Sequence, residues 1–131
     1  MHECPFCSPD ESRIIARSGL CFALYDLYPV NKGHALIIPS RHFSSYFDAL
    51  ADEVGDMHAL LLRVQSLINE KFSPDGYNIG INCGGAAGQT VMHMHIHLIP
   101  RYRGDIDDPR GGVRKLKHNL VEYPENCTHH K

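Results

Sequence analysis

The sequence predicts an α+β domain in which one long helix covers a β-sheet. Two observations carry that class. From Ala51 to Phe72 the apolar residues Val54, Met57, Leu61, Val64, Ile68 and Phe72 recur at steps of three and four, the period of an amphipathic helix. Elsewhere, short runs rich in β-branched, aromatic and aliphatic residues are cut by glycine and proline, as strands are cut by turns. At 131 residues the chain is expected to be one domain, 1–131, able to bury a core without cross-links.

The N-terminus carries Cys4-Pro5-Phe6-Cys7. A redox CxxC needs a strand before it and a helix opening at its first cysteine, and only three residues precede this one. Its position therefore argues for half of a zinc site, with two ligands still to be found. His42, after a strand-like run, and His93, at the start of a histidine row, are the best candidates. Two ordinary thiols are the alternative. Arg13 to Arg17, a Ser18-Gly19 turn, and Leu20 to Tyr25 read as a hairpin. Asp26 follows at the strand end, either as a solvated turn residue or as an acceptor for two vicinal hydroxyls. After Pro29-Val30-Asn31-Lys32-Gly33 comes a third strand, His34-Ala35-Leu36-Ile37-Ile38-Pro39, stopped by its proline.

Pro74-Asp75-Gly76 is the turn that ends the helix, whose His58, Arg63, Gln65, Asn69 and Lys71 are expected on wetter sides. Tyr77 to Asn82 is the fourth strand. The small-residue loop Cys83 to Gly88 feeds the fifth, the stretch in which His93, His95 and His97 alternate with Met94, Ile96 and Leu98. Glycines there permit a hairpin; with Gln89 and Thr90 they also let backbone N–H groups and two polar side chains approach an anion. No Lys-Ser or Lys-Thr follows, so it is not a Walker loop.

Strict alternation places the three imidazoles on one face of a strand and the apolar residues on the other. Such rings are costly as filler, because both nitrogens of each need a partner or water. One reading is a metal site, limited by the roughly 13 Å from His93 to His97 at strand rise. A second is division of labour: the middle imidazole is a nucleophile, one neighbour contacts an anion and the other is held structurally. A third is an exposed edge strand.

The formal charge of −2 gives no bulk attraction to nucleic acid or membrane. No apolar run is long enough to span a bilayer, and Met1-His2-Glu3-Cys4 lacks the features of a signal peptide. A soluble cytoplasmic protein is expected. Five cysteines is an odd count, and Cys21 and Cys83 lie in apolar strand-like runs, so a disulfide framework is not expected. The mixed-charge segment Arg101 to Arg114 reads as surface first and as a contributor to substrate selection second. Residues 122–131 lack periodicity and are expected to fray.

His93-Met94-His95-Ile96-His97-Leu98-Ile99 resembles the histidine-triad motif of the HIT family, His-φ-His-φ-His-φ-φ with φ apolar. The resemblance extends to Gly33-His34 with its strand, Pro39-Ser40-Arg41-His42, Asn82 and Gly88-Gln89-Thr90-Val91, and so runs through most of residues 4–114. It implies a HIT-like fold: a five-stranded antiparallel sheet with one long and one short helix packed on it, in a homodimer. The implied segments are a zinc-binding stretch 1–10, a core 11–104 and a tail 105–131. The implied activity is nucleotide hydrolysis or nucleotidyl transfer on dinucleoside polyphosphates or nucleoside phosphoramidates.

By the same resemblance His95 is the nucleophile, His34, His97, Gln89 and Thr90 contact phosphate, Asn82 supports the site and Asp26 holds the ribose hydroxyls. Some bacterial-type members also carry a CxxC with two histidines that bind zinc, here Cys4, Cys7, His42 and His93; members lacking the cysteines manage without metal, so the zinc is expected to be structural. No organic cofactor is implied. A zinc-stabilised nucleotide-binding module with little turnover is the alternative from another functional class.

Overall fold

A computed structural model describes residues 4–117 and 123–124. Most of the C-terminal stretch expected to fray lies outside them. Five strands form one antiparallel sheet: β1 (Ile14–Arg17), β2 (Cys21–Tyr25), β3 (Ala35–Pro39), β4 (Gly76–Gly80) and β5 (Ile96–Arg101), in the order β1-β2-β3-β5-β4. The helix α1 spans Ala51–Phe72, as its period predicts. The shorter helix implied beside it is represented, among the described residues, only by three-residue 3-10 turns such as Tyr46–Asp48.

The sheet is covered on both sides, which is why β2 and β3 read as continuous apolar runs. Cys21, Ala23, Ala35 and Ile37 face α1, together with Met94, Ile96 and Leu98. The alternate residues Phe22, Leu24, Leu36 and Ile38 face the other way and pack with Phe6. That second layer carries the histidines.

The buried stripe of α1 is Glu53, Met57, Leu60, Val64 and Ile68. It is therefore turned from the expected one: Val54 is exposed and Leu60, not Leu61, is fully buried. The cause is Glu53. Its carboxylate accepts from the Leu50 N–H at 2.8 Å and from Nε and Nη2 of Arg41 at 2.9 and 2.8 Å, so an acid that would ordinarily face water fixes the first turn inward. At the other end Ser73 turns left-handed at φ 51° and its N–H closes on the Asn69 carbonyl.

Two strands are shorter than their sequence patterns. β4 stops at Gly80, leaving Asn82 in the following loop. β5 starts only at Ile96, so His93 and His95 precede the ladder. β3 runs on to Pro39, but its pairing with β5 stops at Ile37 and Ile96; Met94 N–H bonds the Phe43 carbonyl at 2.7 Å instead. His97 does sit in the ladder, between Leu36 of β3 and Gly80 of β4. Gly33 (φ +88°) permits the turn into β3: a Cβ there would meet Phe72 at 2.9 Å and Pro100 at 3.2 Å.

Candidate active site and metal centre

The end of β5 and the loops around it bring two histidine clusters together. In the first, Nδ1 of His93 lies 3.3 Å from Sγ of Cys4, 3.6 Å from Sγ of Cys7 and 3.2 Å from Nδ1 of His42, which is itself 3.2 Å from Sγ of Cys7. A tetrahedral zinc with two sulfur and two nitrogen ligands needs these atoms about 3.3–3.8 Å apart, so small adjustments of four ligand atoms already within 4.8 Å of one another would admit the ion. The tautomer agrees. Nε2 of His93 lies 2.7 Å from the Pro39 carbonyl, which can only accept, so Nε2 carries the hydrogen and Nδ1 keeps its lone pair for a metal. Burial also holds His93 below the usual histidine value and keeps it neutral.

The second cluster is Asp26, His34 and His97. Nδ1 of His34 accepts from the Val30 N–H at 3.0 Å, so its hydrogen is on Nε2, which points at Nδ1 of His97 at 3.0 Å. His97 must then accept at Nδ1 and carry its own hydrogen on Nε2. The same bond rules this trio out as a metal site of ordinary neutral imidazoles, since Nε2 of His34 cannot be both donor and ligand. Oδ2 of Asp26 is 3.4 Å from Nε2 of His34 and 3.9 Å from Nδ1 of His97. These contacts are not ion pairs. Burial lowers His34 despite the opposing charge of Asp26, and burial, followed by the neighbouring His95 and His34, pushes His97 down to about 4.

Between the clusters stands His95. Its Nδ1 lies 2.7 Å from the carbonyl oxygen of His93 and so must donate. Nε2 is left as a lone-pair nitrogen on a ring that lines a cavity of about 320 Å³. Asp26, Asn82, Thr90 and His97 line the same cavity. Two of the expected contact residues do not. His34 is buried and spends both nitrogens on Val30 and His97. Gln89 is buried with its amide committed to the backbone: Oε1 accepts from Gly84 N–H, and Nε2 donates to the Ser44 and Val91 carbonyls. It shapes the small-residue loop. Pro5, Phe6, Arg13, Leu27 and Tyr28 line the cavity without having been singled out by sequence. The two that follow Asp26, Leu27 and Tyr28, could have been found from its position.

Sequence and structure comparisons bear on the family and the fold. A family model described as "HIT domain" matches residues 9–104. The chain is 35% identical over 104 residues to "AP-4-A phosphorylase" of Mycobacterium tuberculosis, covering 79% of this chain and 53% of that protein. It is 38% identical over 100 residues to the asymmetrical bis(5'-nucleosyl)-tetraphosphatase of Schizosaccharomyces pombe, covering 76% and 55%. The chain thus spans about half the length of these curated relatives. Among solved structures, a zinc-bound histidine triad family protein from Mycobacterium smegmatis is 32% identical with a TM-score of 0.69, covering 90% of this chain and 82% of that one. A Bacillus subtilis member of the same family has a TM-score of 0.73 at 30% identity, covering 79% and 77%.

Proposed function

The chain belongs to the HIT family, and from that premise we propose that it is a nucleotide phosphohydrolase or nucleotidyl transferase working through a covalent nucleotidyl-histidine on His95. Dinucleoside polyphosphates lead the substrate class, in line with the names of the curated relatives; nucleoside phosphoramidates are the other candidates. The observation that carries the reading is the bond from His95 Nδ1 to the His93 carbonyl. It fixes the tautomer that leaves Nε2 nucleophilic without a separate base.

In the proposed cycle Nε2 of His95 attacks the α-phosphorus, and the bond from phosphorus to the leaving group breaks. Water then attacks the same phosphorus, releasing a proton to solvent, and the P–N bond breaks with its electron pair returned to Nε2 of His95. Nε2–H of His97, held by the His34 relay, is a neutral donor for the charge that builds on the phosphate oxygens. Thr90 adds a hydroxyl and Asn82 an amide. Asp26 accepts from the ribose hydroxyls at the far side of His97. In this account His34 and Gln89 act on phosphate indirectly, by orienting His97 and the loop.

The Cys4, Cys7, His42 and His93 set holds structural zinc: four protein ligands close the ion and leave no position for water. Zinc there would tie the N-terminal turn to the sheet and stiffen the His93 carbonyl that orients His95. Unpaired thiols in such a site suit a cytoplasmic setting. Among the described residues no helix is long and apolar enough to cross a membrane. A homodimer is supported by β4, an edge strand beside a groove that α1 and β4 form, with Leu62 and Ile79 each about half exposed; sedimentation showing only monomer would remove it.

Turnover of a panel of adenosine and guanosine polyphosphates and phosphoramidates by wild type and His95→Ala tests the whole. We expect the variant to lose several orders of magnitude in turnover while still binding nucleoside monophosphate. Near-normal turnover without His95 would end this reading.

A further inference from the structure

Phe6 sits between the two cysteines of the metal turn, yet its side chain belongs to the nucleotide cavity. It is buried, and with Pro5 it lines the cavity that also holds His95 and Asp26. Its ring meets the His95 imidazole edge-on, with centroids 5.2 Å apart at 73°, and the His93 imidazole at 5.9 Å and 84°. Behind it lie Phe22, Leu24, Leu36 and Ile38.

The Phe6 edge is one of two ring contacts on His95, the other being the His97 imidazole with centroids 5.1 Å apart at 63°, and both act beside the bond to the His93 carbonyl. The bond to the His93 carbonyl fixes which nitrogen points inward, but a single bond along the ring plane leaves the ring free to rock about it. An aromatic edge against the imidazole opposes that rocking. The turn that presents Phe6 has few polar attachments of its own. Cys7 N–H bonds the Cys4 carbonyl within the turn, and the sulfurs of Cys4 and Cys7 reach His93 and His42. The atoms that anchor the turn are the atoms that fit a zinc ion.

We propose that Phe6 is a positioning residue for His95 and a wall of the nucleotide cavity, and that the metal turn holds it there, so that nucleotide binding follows metal occupancy. The nucleotide half of this inference rests on the function proposed above. The ring contact does not.

The test uses zinc-loaded wild type, Phe6→Ala, Phe6→Leu, and, as a control in the same apolar layer, Phe22→Leu, whose ring does not stack on His95. Zinc content, AMP affinity by calorimetry, kcat and KM for a diadenosine polyphosphate, and the His95 ring resonances are read for each. Phe6→Ala should keep its zinc while binding AMP about tenfold more weakly and losing about tenfold in kcat, with the His95 resonances shifted. Phe6→Leu should recover most of both losses, and Phe22→Leu should stay near wild type. Wild type stripped of metal should bind AMP at least as weakly as Phe6→Ala and recover when zinc is restored. Zinc-loaded Phe6→Ala with wild-type kcat and unmoved His95 resonances would overturn the positioning role. Stripped protein that binds AMP as tightly as loaded protein would overturn the dependence on metal. If loaded wild type binds no AMP at all, the nucleotide reading falls, and the resonances still decide the ring contact.

Discussion

Lowering the pH from 7 to 5 should destabilise the folded chain through His97. Burial, then the neighbouring His95 and His34, pushes its folded value down to about 4 from an ordinary 6.5. For a base depressed in this way the unfolded chain binds the proton first, so stability is fully present above about pH 6.5 and drains away as the pH falls toward 4. With those two values the loss between pH 7 and pH 5 comes to about 2 kcal/mol. The side chain is only 21% exposed, so solvent does little to soften the effect. His34 is lowered as well and acts in the same direction. Denaturant titrations of zinc-loaded wild type and His97→Gln at pH 7, 6 and 5 isolate the contribution, because Gln still offers an acceptor to His34 but cannot titrate. Wild type should lose about 2 kcal/mol more than the variant across that range. Equal losses in the two proteins would refute a buried, neutral His97.

Three further outcomes follow from the same geometry. Asp26→Ala should weaken ribonucleotide binding more than 2'-deoxyribonucleotide binding in calorimetry, since the deoxy ligand already lacks one of the two hydroxyls; equal losses would leave Asp26 as the turn residue that accepts from Tyr28 N–H. Cys4→Ser should release zinc in elemental analysis and lower the melting temperature, with turnover at low temperature reduced only modestly; a folded variant with no turnover would point instead to catalytic metal. Glu53→Ala should cost about 2 kcal/mol in thermal or denaturant unfolding, because it strands Arg41 and the Leu50 N–H, with Arg41 still 45% exposed to water. Its turnover at low temperature should stay near wild type.

What could be read from the sequence divides along physical lines. The bounds of α1 were legible because a 3.6-residue period ran unbroken to Pro74-Asp75-Gly76. Its true buried face was not, because Glu53 lies inward only when Arg41, twelve residues earlier in the chain, closes on it. The shared side of the three histidines was readable from alternation, whereas the start of β5 at Ile96 was not, because Met94 N–H turns to the Phe43 carbonyl, a tertiary bond, while pairing with β3 stops at Ile37. Cys4, Cys7, His42 and His93 could be named together because a lone CxxC needs two more ligands and histidines stood at two element ends. Gln89 shows the opposite case. Its residue type suits an anion, but three backbone groups around it take the whole amide. Phe6 and Arg13 reach the cavity only through tertiary approach, which no local pattern encodes.

The central claim is the covalent step at His95, and trapping tests it most directly. Wild type mixed with an adenosine polyphosphate carrying label on the α-phosphate, then quenched within the first turnovers and mapped by mass, should carry a nucleotidyl group on His95. His95→Ala treated alike should carry none. Label on another residue, or full turnover with no trapped adduct when water attack has been slowed, would contradict the account.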